Sequence, residues 1–136
     1  MDTIAVVIEE PERLSVRRLA LVPVAESDVV VDVAWSGIST GTERLLWSGR
    51  MPPFTGLGYP LVPGYESVGR VVEAGERARS RLGDYVFVPG ASCFEGARGL
   101  FGGAARRVVV SGARAMKIDP QLREDGVLLA LAATAD

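Results

Sequence analysis

The chain contains no histidine and a single cysteine, Cys93. A Ser-His-Asp triad, a Cys-His pair and a histidine-ligated zinc are therefore impossible within it, as is a CxxC pair. One cysteine forms no internal disulfide, which argues against a stapled secreted domain. No apolar stretch approaches the roughly 20 residues needed to span a bilayer. The start, Met1-Asp2-Thr3-Ile4, lacks a basic region followed by a long apolar stretch, so no signal peptide is expected. A cytoplasmic location is the expectation. The net charge of -2 offers no electrostatic reason to expect a nucleic-acid partner. Chemistry here must rest on hydroxyls, carboxylates, arginines, backbone groups or a bound cofactor.

What is present suffices for one domain. The 136 residues are 48% hydrophobic, enough to build a core, and 16 glycines and 8 prolines make the chain bend often. With so much apolar content and so little net charge, disorder is excluded as a general reading. Short strands separated by turn residues are predicted over Thr3–Glu9 and Leu14–Leu21, with Pro11-Glu12 turning between them. The clearest strand is Asp28–Ser36, which sends Val29, Val31, Val33 and Trp35 to one face and Asp28, Asp32 and Ser36 to the other. Thr40-Gly41-Thr42-Glu43 fits a capping box opening a short helix, with Leu45, Leu46 and Trp47 on its apolar side and Gly49 ending it. Residues 51–63 hold four prolines and two glycines and read as a long loop. Strands resume at Ser67–Glu73 and Tyr85–Val88, with Gly83-Asp84 turning before the second. Residues 90–103 form another loop, and Ala105–Ser111 and Ala115–Ile118 are the last strands. Asp119-Pro120 marks a helix start, followed by Leu122, Val127, Leu128, Leu129 and Leu131, with Gly126 weakening that helix. Many short strands with Gly/Pro turns suggest a mainly β domain, a small, partly open barrel with short helices.

Four segments, in order, resemble the N-terminal, GroES-like domain of medium-chain dehydrogenases/reductases. They are Val29–Ile38, Pro60-Leu61-Val62-Pro63-Gly64-Tyr65-Glu66, Gly69–Gly75 with Gly83–Val86, and Gly102–Ala105 before a valine-rich strand. The departures are informative. Where zinc-dependent members place a cysteine and a histidine, this chain has Ser39 and Tyr65, and the third ligand position falls at Leu131 or a neighbour. The lobe of four cysteines is replaced by residues 90–103. The resemblance therefore implies a domain without zinc. In finer detail Ser36–Glu43, Leu46–Phe54, Gly58–Glu66, Val86–Ala91 and Arg98–Ala104 resemble one branch, the hydroxyethyl bacteriochlorophyllide dehydrogenases. That branch implies oxidation of the C3 hydroxyethyl group of a magnesium tetrapyrrole to acetyl in bacteriochlorophyll biosynthesis. NAD would be the hydride acceptor, and the whole enzyme a homodimer.

The family's NAD-binding Rossmann domain, with its Gly-x-Gly-x-x-Gly turn, is absent from residues 1–136, which are expected to be inactive alone. Without zinc, hydrogen-bonding groups must accept the alcohol's proton. The candidates at or beside the lost metal positions are Ser39, Thr40, Thr42, Glu43, Tyr65 and Glu66. As a base Tyr65 would need a nearby cation, Arg44 or Arg50. Arg50, Met51, Phe54 and Tyr59, on the proline-rich loop, are candidates for an apolar wall and a carboxylate clamp around the substrate. Two other readings stay open, a zinc-free NADPH-dependent quinone or enone reductase and a non-catalytic GroES-like interaction module.

Overall fold

In the computed structural model, which describes residues 1–135, β-branched residues dominate the strands and their alternation sets the layers. Strands β1 (Asp2–Glu10) and β2 (Arg13–Ala20) form an antiparallel hairpin, with Val6 opposite Val16 and a bulge between Ile8 and Glu10. The tight turn at Pro11-Glu12 places Glu12 at a φ of 64°. Along β1, Thr3, Ala5 and Val7 are buried while the residues between them are partly exposed, as one buried face requires.

The second sheet is antiparallel and five-stranded. Its order is β6 (Arg107–Ser111), β3 (Asp28–Ser36), β4 (Ser67–Ala74), β5 (Tyr85–Val88) and β7 (Met116–Lys117). The hairpin is stitched to it through the other edge of β1. The Val6 N–H donates to the Ala104 carbonyl at 2.9 Å and the Arg106 N–H to the Ile4 carbonyl at 2.9 Å; Ile8 and Leu61 exchange both backbone bonds. The result is a sheet that curls partly around one valine-rich core of Val7, Val29, Val30, Val31, Val71, Val86 and Val108.

The expected alternation in β3 is only half obeyed. Bulges against β4 fall between Val30 and Val31 and between Val33 and Trp35. The first places its extra residue, Val72, in β4, and the second places Ala34 in β3, where it re-aims the side chain that follows. Val29, Val30 and Val31, in unbroken register with β6, are all buried because both faces of the sheet are covered there, whereas Trp35, beyond the bulge at Ala34, is turned partly into solvent.

Two smaller clusters position the functional segments. Ile8, Leu46 and Leu61, joined by Met51, Leu57, Tyr59 and Phe101, hold α1 (Thr42–Ser48) and the proline-rich loop. Of the apolar side predicted for α1, only Leu46 is buried; Leu45 and Trp47 stay largely exposed. Gly49 ends the helix in the left-handed conformation at a φ of 76°, as expected. The capping box does not form. Gly41 is the N-cap, without a side-chain hydrogen bond, and the Glu43 carboxylate faces the backbone N–H groups of Ser39 and of Glu43 itself.

Val68, Tyr85 and Phe87 pack with Ile118, Val127 and Leu129 to seat the C-terminal segment. That segment is not the single helix expected. It is a 3-10 stretch, Pro120–Leu128, broken at Arg123 (φ 48°, ψ -129°) and followed by α2 (Leu129–Ala135). Asp119 caps it as predicted, accepting the Gln121 N–H at 2.9 Å. The Arg123 carbonyl accepts a hydrogen bond from the Tyr85 hydroxyl, and the Arg123 guanidinium lies over the Trp35 ring. These contacts hold the break in place. No helix among the described residues is long and apolar enough to cross a membrane.

Candidate active site

The corner where β3 ends and the chain enters α1 faces the start of β4. Residues 36–43 and 65–66 meet there although more than twenty residues separate them. The Gly37 N–H donates to the Glu66 carbonyl at 2.7 Å. Gly37 is required by this approach, since a Cβ at that position would strike the Glu66 carboxylate. Glu66 is itself 5% exposed. Beside it, Gly64 takes a φ of 102°, which lets the chain turn closely past the Ala104 backbone and deliver Tyr65 into the corner.

Three hydroxyls converge on one point. The Tyr65 hydroxyl donates to Ser39 Oγ at 2.8 Å, and Thr42 Oγ1 lies 3.5 Å from Tyr65 Oη. An edge-on contact with Phe101, with ring centroids 5.2 Å apart, fixes the tyrosine ring. Glu43 completes the group. Burial pushes its carboxyl above the ordinary range, the backbone N–H groups of Ser39 and of Glu43 itself draw it down, and the Glu66 charge pushes it up again. Glu43 Oε2 is buried without a hydrogen-bond partner. A carboxylate so placed is a ready proton acceptor. Thr40, by contrast, is exposed and makes no side-chain bond within the group.

The cluster lies between two cavities. One, of about 740 Å³, is lined by Tyr65 together with Phe87, Pro89, Arg114, Met116 and Leu129. The other, of about 890 Å³, runs between the β1–β2 hairpin and the end of β3, and is lined by Thr40, Glu43, Trp35 and Trp47 among others. The candidates on the proline-rich loop line neither. Met51 and Tyr59 pack inward on Leu46, and the Tyr59 hydroxyl donates to the Leu46 carbonyl. Arg50 and Phe54 lie on the surface. Neither Arg44 nor Arg50 forms an ion pair among the described residues. Phe87, Arg114 and Met116 went unnoticed in the sequence, because nothing in a short strand or a turn arginine marks it as facing Tyr65.

The corner does not fit a zinc ion. Ser39 and Tyr65 present hydroxyls bonded to each other, and no three His, Cys, Asp or Glu side chains converge among the described residues. The glycine-rich loop at 90–103 is pinned by bridges from Phe94 to Leu21 and from Arg98 to Leu61, and leads into a strand, not a helix.

Residues 25–120 match the alcohol dehydrogenase GroES-like domain, and the chain belongs to that family. Along almost its whole length it is similar to two proteins named 2-desacetyl-2-hydroxyethyl bacteriochlorophyllide A dehydrogenase. The protein of Rhodobacter capsulatus is 54% identical over 99% of this chain, and that of Cereibacter sphaeroides 52% over 99%. The chain spans 43% and 44% of their respective lengths. In fold it is similar to a short chain alcohol dehydrogenase from E. coli solved with NADH. That likeness has a TM-score of 0.75 and 24% identity, covering 94% of this chain and 42% of the other.

Proposed function

We propose that this chain is the substrate-side domain of an enzyme that oxidises the C3 hydroxyethyl group of a bacteriochlorophyllide to acetyl, in bacteriochlorophyll biosynthesis. The similarity to the two bacteriochlorophyllide dehydrogenases supports the substrate. The observation that carries the chemistry is the 2.8 Å bond from Tyr65 to Ser39 at the corner where zinc-dependent relatives would bind metal. When bound, NAD would supply the acceptor for the hydride of the carbinol carbon. The work of residues 39–66 is to remove the hydroxyl proton as that hydride leaves.

The alcohol's proton moves to Tyr65 Oη while the Tyr65 proton moves along its existing bond to Ser39 Oγ, and Ser39 gives up its own hydroxyl proton in turn. Thr42 Oγ1 stands beside the same oxygen and supports the developing charge. Glu43, with one buried oxygen unpartnered, is the carboxylate of the group available to receive the proton finally. Glu66 is buried against Gly37 and keeps the corner closed. The family resemblance supports a cytoplasmic, homodimeric enzyme as part of this reading.

The test is direct. The complete enzyme is mixed with NAD and 3-hydroxyethyl bacteriochlorophyllide a, and the macrocycle's absorption band is followed. A shift to the band of the 3-acetyl product supports the reaction. No shift, with the protein folded and NAD bound, rejects it and selects reduction of a conjugated double bond with NADPH as the reaction to assay.

A further inference from the structure

The cavity beside Tyr65 is larger than a small alcohol requires. At about 740 Å³ it lies in the upper part of the roughly 300–1,000 Å³ range of ligand sites. Its walls, Phe87, Pro89, Met116 and Leu129, are apolar and come from three separate parts of the chain. Met116 stands in β7, the edge strand, and leaves 60% of its surface exposed. An apolar side chain left so open beside a concave wall is suited to being covered by a ligand, and a flexible thioether adapts to a flat ring face. Arg114, the last residue of the 3-10 turn Gly112–Arg114, lines the same cavity. It forms no ion pair among the described residues. A planar guanidinium with no carboxylate of its own at the rim of an apolar cavity complements a ligand with one anionic arm on a flat apolar body.

We infer that this cavity receives the tetrapyrrole macrocycle, with Met116 and Pro89 against the ring face and Arg114 on a propionate carboxylate. The inference rests on the proposed reaction and deepens it. It moves substrate recognition from the proline-rich loop to the turn and edge strand that follow β6. It also explains how a hydroxyethyl arm reaches the Tyr65 oxygen, since Tyr65 forms part of the same wall.

The test uses binding, without turnover. A chlorin bearing one propionic acid, and its methyl ester, are titrated into the complete enzyme and followed by the shift of the chlorin band. Wild type binds the acid about tenfold more tightly than the ester, the size of a partly exposed charge-assisted hydrogen bond. Arg114→Gln abolishes that difference and leaves the ester unaffected. Met116→Ser weakens acid and ester alike, by about fivefold, since it removes apolar contact only. Arg77→Gln, which breaks an exposed ion pair with Glu26, changes neither.

Equal affinity of wild type for acid and ester, or an acid preference that survives Arg114→Gln, overturns the inference. Oxidation of the hydroxyethyl group with Arg114-independent binding would leave the reaction standing and this cavity assignment fallen. Arg114-dependent binding without oxidation would uphold the cavity and sink the reaction.

Discussion

Replacing Tyr65 with phenylalanine removes one oxygen and little else. The ring remains, with its edge against Phe101 at 5.2 Å, so the packing of the corner survives. What is lost is the 2.8 Å hydrogen bond to Ser39 and the 3.5 Å approach of Thr42. One partly buried hydrogen bond is worth about 1 kcal/mol of folding stability. If Tyr65 is the group that first takes the alcohol's proton, the loss of a positioned acid–base group lowers kcat by about 100- to 10,000-fold. That corresponds to roughly 3–5 kcal/mol of barrier, several times the stability change. The two quantities separate cleanly. Denaturant unfolding of Tyr65→Phe gives the first, and the rate of appearance of the acetyl-product band at saturating substrate and NAD gives the second. A kcat within about threefold of wild type, less than ~1 kcal/mol of barrier, would refute the relay and leave Tyr65 as a packing residue.

Three further outcomes are expected. Ionising Glu43 costs the folded state, because burial and then the Glu66 charge outweigh the backbone N–H groups that draw its pKa down. A raised carboxyl pKa means that stability is highest when the group is protonated and falls as pH rises from its ordinary 4.5 through the raised folded value. Urea midpoints of wild type and Glu43→Gln, measured across that range, should therefore diverge, the variant gaining relative stability toward neutral pH. Parallel curves would remove the buried-charge argument. Leu46→Ala empties the centre of the cluster under α1 and should cost about 3 kcal/mol, within the usual 2–5 for a fully buried leucine; a loss under about 1 kcal/mol would show that the cluster closes over the gap. Burial pushes the Cys93 thiol up to about 11, so a thiol reagent at pH 8 should modify it only as fast as the fold opens. Rapid modification of the native protein would show the site to be open.

Asp28–Ser36 was legible from its β-branched, alternating sequence and Tyr85–Val88 as a short apolar run after the Gly83-Asp84 turn, and both begin and end where expected. Gly49 and Asp119-Pro120 were legible because caps are local chemistry. The capping box was misread for a reason outside its own four residues. Glu43 turns toward Ser39 and Glu66, which sequence distance hides. The closing helix was misread because Gly126 packs so tightly on Ile118 and Val68, and Arg123 is so bound to Tyr85 and Trp35, that one continuous helix does not fit. The corner residues were found only through a family resemblance, since no period links position 39 to position 65.

The sequence by itself determined the class of the fold, the turn positions and the chemistry on offer, since periodicity, caps and the lack of histidine are properties of neighbouring residues and of composition. Tertiary structure alone decided which hydroxyls share a proton, that Glu43 keeps an unpartnered oxygen, and that Met116 and Arg114 stand on the same wall as Tyr65. Those are consequences of how the bulged β3 and the curled sheet bring distant segments together. Burial, electrostatics and cavity shape come into being only when that has happened.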